Sequence, residues 1–382
     1  MLHLVEICCL LTSLFAIVSQ GEYSNLRFKN PSKRGSITDI KNILVGHSSR
    51  IERPTGCTVI ICNTTCVGGV DVRGSAPGTR ETDLLDPINL VEHVNAIVLT
   101  GGSAFGLDAA SGVVRCLAEK NIGFPTSARP VPIVPAAVLF DLEVGNDSSI
   151  VPDAALGYSA CISANDSNTL EGNVGAGAGA SIGKLFGIQR AMKSGLGSTS
   201  LTVYDALRNT TVTVGAIVAV NAVGDVYKNG RLLAGARTAD GTQLINTVEL
   251  LLGSGDNFSN NFLPASSTTL ACVVTDAKLT KVQAKKVSQM AHDGFARAIN
   301  PIHTMADGDI IFTLATGASS LSDVNLIGLM AARVVEEAIV RATEKATGLP
   351  NLPSINDLKS SGQRFSFTMT IPILLLLSQN IC

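Results

Sequence analysis

Apolar residues recur along the chain in two rhythms, and the alternation between them lays out its elements. Thr58 to Cys62 reads as a short apolar strand, and Asp71 to Pro87 as a polar loop containing Gly and Pro. Asn95 to Thr100 (NAIVLT) predicts a buried strand, Gly101-Gly102-Ser103 a turn, and Ala104 to Lys120, apolar at helical spacing, a helix. Residues 141–184 are loop-rich. Thr211 to Val220 (TVTVGAIVAV) predicts a strand ending at Asn221, and Gly224-Asp225 turns the chain into Val226-Tyr227 as a hairpin. Leu251 to Ser267 is rich in Gly, Ser and Asn and reads as an exposed loop that runs directly into the strand Thr268 to Val274 (TTLACVV). Thr280 and Gln283 form a capping box opening a helix that reaches Ile299, followed by a strand over Ile310 to Ala315 and a helix from Asn325 to Thr347. Strands and helices mingle without internal repeats. This predicts one layered α/β or α+β domain, spanning 35–350, rather than separate modules.

Composition narrows the class. The chain has 382 residues, 46% hydrophobic and 16% charged, enough apolar material for a packed core and too little charge for a disordered chain. Twenty-nine Lys and Arg face 31 Asp and Glu, so a net charge of −2 offers no field for nucleic acid, and none is expected as a partner.

Both ends read as processing signals. Residues 1–21 carry the apolar run Ile7 to Val18, shorter than the roughly 20 residues a membrane span needs, followed by Ser19-Gln20-Gly21, and predict a secretory signal peptide. Sequons at Asn63, Asn146, Asn165, Asn209 and Asn257 agree with an exported glycoprotein. In the tail, 360–382, small residues Ser360, Ser361 and Gly362 precede the apolar stretch Phe365 to Leu377, as in a signal for a GPI anchor, so attachment to a membrane through lipid is an expectation. The expected location is the extracellular space or surface. Six cysteines lie between these ends, Cys57, Cys62, Cys66, Cys116, Cys161 and Cys272, and are open to disulfides or to a role as buried thiols. Cys62 and Cys66 lack a second ligand pair, and no metal or other cofactor is expected.

Several stretches invite chemistry. Gly175 to Lys184 (GAGAGASIGK) fails both the G-x-G-x-x-G and the P-loop spacing and reads as tightly packed backbone. Gly101-Gly102-Ser103 opens a helix, where backbone N–H groups can bind a substrate carboxylate or main chain, but Phe105 replaces the last glycine of a nucleophile elbow, so Ser103 is not expected to attack. His47, His93, His292 and His303 form no ligand pair in sequence and read as structural. With no His-based triad, hydrolytic chemistry points to an N-terminal nucleophile, a residue whose own freed α-amine acts as base. Thr268, where a polar loop meets an apolar strand, fits that position, although threonine is also an ordinary strand residue.

A resemblance carries the reading further. Arg73-Gly74-Ser75-Ala76-Pro77-Gly78-Thr79-Arg80-Glu81-Thr82 and Leu99-Thr100-Gly101-Gly102-Ser103-Ala104-Phe105-Gly106-Leu107-Asp108 resemble signatures of the L-aminopeptidase/D-esterase (DmpA-like) peptidases. Further matches follow in order: Gly172 to Gly177, Val220-Asn221-Ala222 to Gly224-Asp225-Val226, Thr268-Thr269-Leu270 to Thr275-Asp276-Ala277, and His303-Thr304 to Asp307-Gly308-Asp309. The resemblance implies an α+β fold, a four-layer αββα sandwich like that of the N-terminal-nucleophile hydrolases with different connectivity, and a homo-oligomer, often a tetramer, of self-cleaved chains. It implies cleavage between Ser267 and Thr268, with Thr268 as nucleophile, Asn221 as oxyanion donor, and Asp309 orienting the nucleophile or holding the substrate's amino group. Asp307 stands where some members carry serine, and Ser267 where many carry asparagine. The expected activity is removal of an N-terminal residue from short peptides, amides or esters through an acyl-Thr268 ester. An acyltransferase like the ornithine acetyltransferases and a secreted binding protein without catalysis are the alternatives.

Overall fold

The computed structural model describes residues 26–28, 35–167, 169–206, 208–254 and 267–360. The expected signal peptide, the tail beyond Ser360 and most of the loop ahead of Ser267 lie outside the described residues. One ten-stranded sheet dominates. Its path runs β1 (Leu26–Phe28), β9 (Leu196–Asp205), β10 (Thr210–Ala219), β13 (Leu270–Ala277), β15 (Ile310–Ser319), β3 (Thr55–Val72), β5 (His93–Thr100), β6 (Ala136–Val138) and β4 (Gly78–Arg80), with β2 (Ile43–Arg50) paired to β3. A three-stranded sheet contains β12 (Arg231–Ala234), β11 (Asp225–Lys228) and β14 (Ile299–Asn300), and a two-stranded one contains β7 (Ser181–Ile182) and β8 (Met192–Lys193). The helices are α1 (Ala109–Glu119), α2 (Ala154–Ser163), α3 (Thr247–Ser254), α4 (Lys281–Ala298), α5 (Val324–Lys345) and α6 (Ile355–Ser360), with short 3₁₀ turns between.

Side-chain alternation divides the sheet into two layers. Successive residues of a strand point to opposite faces, and here the faces belong to different cores. In β13, Ala271 and Val273 pack with Val287 and Ala291 of α4 and Val335 and Ile339 of α5, while Leu270, Cys272 and Val274 point the other way. In β5, Ala96 and Val98 pack with Val113 and Leu117 of α1 and Ala160 of α2, while Ile97 and Leu99 join Leu270, Cys272 and Val274 in a middle core. Two helices, strand layer, strand layer, two helices is the αββα sandwich. The long strand β3 passes between the layers: Cys57, Val59 and Ile61 face α1 and α2, whereas Val67 packs on the α4–α5 side. Its register with β5 shifts between Ile61 and Cys66, and a Cys62–Cys66 disulfide spans that shift. A second disulfide, Cys116–Cys161, ties α1 to α2; Cys57 and Cys272 are buried thiols.

Three elements differ from the sequence reading. The strand expected over Thr58 to Cys62 extends to Val72, because β15 and β5 supply ladder partners to a polar, glycine-containing stretch with no apolar period of its own. The hairpin expected between Thr211–Val220 and Val226-Tyr227 does not form: β10 pairs with β9 and β13, while β11 turns back on β12 through Asn229-Gly230, both at positive φ, a pair that suits the left-handed conformation of a tight hairpin turn. Helix α2 lies inside the expected loop-rich stretch, started by the Asp153 side chain accepting from the Leu156 N–H at 2.8 Å. The capping box is present as read: Thr280 N–H donates to Gln283 and Gln283 N–H to Thr280.

A buried ion pair braces the turn after β5. Arg53 and Asp141 have fully buried side chains, with Arg53 Nη2 3.1 Å from Asp141 Oδ1. Arg53 also donates to the Ile150 carbonyl, while Asp141 accepts from Thr55 Oγ1 at 2.7 Å and from the Gly102 N–H at 2.8 Å. A buried pair of this kind is costly to break because the surviving charge is left unmatched. Arg53→Met is expected to lower unfolding free energy by about 3–5 kcal/mol in urea denaturation; a loss below about 1 kcal/mol would show that the pair is not a brace.

Candidate active site

Strand β13 sits between antiparallel β10 and parallel β15, with Leu270 opposite both Ala219 and Ile310. Carrying that register two residues back places Thr268 beside Asn221 and Gly308. The Thr268 N–H donates to the Asn221 carbonyl at 2.6 Å, and the Gly308 N–H donates to the Ser267 carbonyl at 3.0 Å. The Ser267 N–H donates to the Ala306 carbonyl at 3.3 Å. Thr268 Oγ1 donates to the same Ser267 carbonyl oxygen at 2.5 Å. The oxygen of the peptide bond expected to break is therefore met by the hydroxyl expected to attack and by a backbone N–H. Ser267 and Thr268 are both buried.

This arrangement depends on close backbone approach. A Cβ on Gly308 would stand 2.4 Å from the Ala76 oxygen and 2.7 Å from Thr268 Oγ1, and one on Gly74 would stand 2.1 Å from the Asp309 nitrogen. The Arg73 and Gly74 N–H groups donate to the Asp309 carbonyl, and the Ala76 N–H to the Asp307 carbonyl at 2.9 Å. The Arg73 to Thr82 motif thus clamps the backbone that carries the two aspartates.

Asn221 is buried, with its amide orientation set by its neighbours. Its Oδ1 accepts from the Ser181 N–H at 3.1 Å and from Lys184 Nζ at 2.7 Å, and its Nδ2 donates to the Phe140 carbonyl at 2.9 Å. Two donors on one side and an acceptor on the other allow one assignment. The glycine-rich stretch is packed backbone, as read, and it delivers Ser181 and Lys184 to this amide. Burial lowers the Lys184 ammonium from its ordinary 10.5 to about 8, against the charges of Glu143, Asp307 and Asp141, which raise it.

Both aspartates are fully buried. Asp309 Oδ1 accepts from the Thr269 N–H at 2.7 Å, and Oδ2 from the His303 N–H at 3.1 Å, with His303 Nδ1 2.8 Å from Oδ2. Asp307 Oδ2 accepts from the Thr304 N–H and hydroxyl, and Oδ1 from the Val223 N–H at 3.4 Å.

Ser267, Thr268, Asn221, Asp307 and Asp309 are thus brought together. Among the described residues, the N–H groups of Gly101, Gly102 and Ser103 are directed elsewhere. Their N–H groups are occupied by the Gly56 carbonyl, Asp141 Oδ1 and the Leu139 carbonyl. The carboxylate held by this turn is the chain's own Asp141, which leaves the expected substrate donors there already engaged. Phe140, next to Asp141, links the turn to Asn221. Lys184, whose motif fails a phosphate-loop spacing, and His303, expected to be structural, meet this site through partners that only the fold supplies. No group of three His, Cys, Asp or Glu able to hold a metal occurs among the described residues.

Residues 35–352 match the family described as Peptidase family S58. The chain belongs to this family. An uncharacterized aminopeptidase of Mycobacterium leprae is 42% identical over 303 residues, covering 74% of this chain and 79% of that protein. Among solved structures, a beta-aminopeptidase of Burkholderia sp. matches with a TM-score of 0.63 at 20% identity, over 88% of this chain and 96% of that one. The L-aminopeptidase D-Ala-esterase/amidase of Ochrobactrum anthropi, a variant of the Ntn hydrolase fold, matches with a TM-score of 0.63 at 18% identity, over 89% of this chain and 98% of that one. This S58 chain is accordingly a hydrolase of the aminopeptidase kind on that fold.

Burial first, and then the charge of Asp309, raise the Asp307 carboxyl from its ordinary 3.8 to about 6. Between these values the folded chain holds a proton that the unfolded chain has released, so the carboxyl's contribution to stability is full below 3.8 and is lost as pH rises through 6. Asp307→Asn should therefore flatten the dependence of the urea midpoint on pH across this window. An unchanged slope would remove Asp307 as its source.

Proposed function

We propose that the chain is a self-processing exopeptidase that removes an N-terminal residue from short peptides, amides or esters through an acyl-Thr268 intermediate. The observation that carries this reading is the Ser267 carbonyl oxygen, held 2.5 Å from Thr268 Oγ1 and 3.0 Å from the Gly308 nitrogen. In maturation, Oγ1 gives up its proton and bonds to the Ser267 carbonyl carbon, with the Gly308 N–H meeting the charge that develops on oxygen. The carbon–nitrogen bond then breaks, the Thr268 nitrogen takes a proton and becomes an amine, and water hydrolyses the Ser267 ester. The freed amine stays beside Oγ1 and the Asn221 carbonyl, where it serves as base for the next acyl transfer.

In turnover the acyl residue of the substrate takes the seat Ser267 held before cleavage. Its amino group replaces the Ser267 N–H facing the Ala306 carbonyl, and its carbonyl oxygen faces the Gly308 N–H. One hydrogen of the Asn221 amide is committed to Phe140, and the second is the oxyanion donor expected from the resemblance; Lys184, on Oδ1, holds the amide in that orientation. The leaving amine takes the proton that Thr268 released, and water completes the cycle. Asp309, on the Thr269 N–H, fixes the start of the nucleophile strand. Export is proposed on the apolar run at 7–18 and the sequons, with the two disulfides as support, since disulfides persist in oxidising compartments. Assembly of self-cleaved chains into a homo-oligomer follows from the same family reading.

Intact mass and N-terminal sequencing of the deglycosylated protein are expected to give a fragment beginning at Thr268. Thr268→Ala should remain a single chain and hydrolyse nothing; a mutant that is cleaved at 267/268 or active would end the assignment. Asn221→Ala should lower kcat by roughly 10²- to 10³-fold, as loss of an oxyanion donor does. Near-normal turnover would take Asn221 out of that role.

A further inference from the structure

Behind Asp309 a row of hydrogen bonds runs away from the scissile bond, and its donors can be assigned one by one. His292 Nε2 lies 3.1 Å from the Asp71 carbonyl oxygen, which can only accept, so Nε2 carries a hydrogen. Burial above all lowers His292 from its ordinary 6.5 to about 3. Burial thus favours the neutral ring, whose one hydrogen is on Nε2 and whose Nδ1 accepts. The partner of Nδ1, at 3.2 Å, is His303 Nε2, which must donate. At its other nitrogen, His303 faces Asp309 Oδ2 at 2.8 Å, a contact that also needs a hydrogen. His303 is held in place as well: its own N–H donates to the same Oδ2, its φ is +58°, and its ring centroid is 4.8 Å from that of His292 and 6.0 Å from that of Phe295.

We propose that His303 is a positioning residue for the Thr268 site: its ring donates from both nitrogens, to Asp309 and to His292, and pins the Asp309 carboxylate so that Oδ1 stays on the Thr269 N–H. The inference rests on the reading of Thr268 as nucleophile. The His303 N–H already holds Oδ2 at 3.1 Å, and the ring adds a second, shorter contact at 2.8 Å; with Oδ1 on the Thr269 N–H, the carboxylate so held fixes the backbone nitrogen next to the nucleophile and, through the strand, the approach of Oγ1 to the carbonyl carbon. The charged and titratable groups around the row are few. From β3 comes Asp71, whose Oδ2 is 3.5 Å from His292 Nε2 and 2.7 Å from Arg73 Nε; from the loop before β15 come Asp307 and Asp309; α4 supplies His292. The Asp71 carboxylate is thus engaged by Arg73, and the backbone carbonyl remains the nearer acceptor for His292.

Two substitutions separate positioning from simple filling of space. Asn carries an amide nitrogen where histidine has Nδ1, and it tolerates positive φ; Gln carries one where histidine has Nε2. His303→Asn keeps the donor to Asp309 and is expected to retain self-cleavage and kcat within about threefold. His303→Gln keeps only the reach toward His292 and should lose roughly 10- to 100-fold in kcat with little change in KM, the size expected for one charge-assisted hydrogen bond. Equal losses in both variants, or none in either, would overturn the positioning role. Independently, ¹⁵N–¹H spectra of histidine-labelled, uncleaved Thr268→Ala should show hydrogens on both ring nitrogens of His303 and on Nε2 alone of His292. A single ring hydrogen on His303 would refute the proposal and leave the nucleophile reading intact, whereas a wild-type chain that stays uncleaved would sink the nucleophile reading and this role with it.

Discussion

Everything at this site depends on one peptide bond being enclosed at the mouth of a central strand. Strand β13 has a neighbour on each side, so the backbone ahead of it is still held by ladder-like contacts: Thr268 to the Asn221 carbonyl on one side, Ser267 to the Gly308 N–H on the other. A carbonyl at a frayed strand end would be solvated and free to turn. Here its orientation is set by main chain, and the adjacent hydroxyl, carried on a β-branched residue with few rotamers, is held against it.

The antiparallel and parallel pairings contribute differently. Antiparallel β10 delivers Asn221 from the far end of its strand, so the same register that packs Ala219 opposite Leu270 also sets the amide. Parallel β15 brings the loop before it, with Asp307 and Asp309, level with Ser267 and Thr269. Two carboxylates in a buried space repel each other, and the structure meets this with N–H and hydroxyl donors on each. Glycine at 74 and 308 lets the three backbones close to contact distance. Further out, Arg53 and Asp141 brace the turn after β5, and Phe140 carries that brace to Asn221.

The elements of the middle of the chain were legible because their apolar residues keep a period. The strands around 95–100, 211–220, 268–274 and 310–315 and the last two long helices are where the pattern predicts them, to within a few residues. Elements with no period of their own were not legible. The second half of β3, polar and glycine-containing, is a strand because β15 and β5 bond to it, and β11 leaves the main sheet to pair with β12 through Asn229-Gly230 because β10 already has β9 and β13 on its two sides.

Of the site, the sequence alone determined the residue types and the order of the motifs: a threonine at the junction of polar loop and apolar strand, an asparagine at a strand end, two aspartates two apart. The place of Thr268 is a local property of the pattern, whereas Asn221 and the two aspartates stood out only through the resemblance of their motifs to the family's. Tertiary structure alone decided which groups meet. It occupied the amides of Gly101 to Ser103 with the chain's own acceptors, turned the failed phosphate-loop lysine Lys184 onto Asn221, and set His303 and His292, eleven residues apart, in a T-shaped contact behind Asp309. The physical reason is that a hydrogen bond needs a partner within about 3 Å, and for residues tens to hundreds of positions apart that distance is fixed only by the packing of strands and helices.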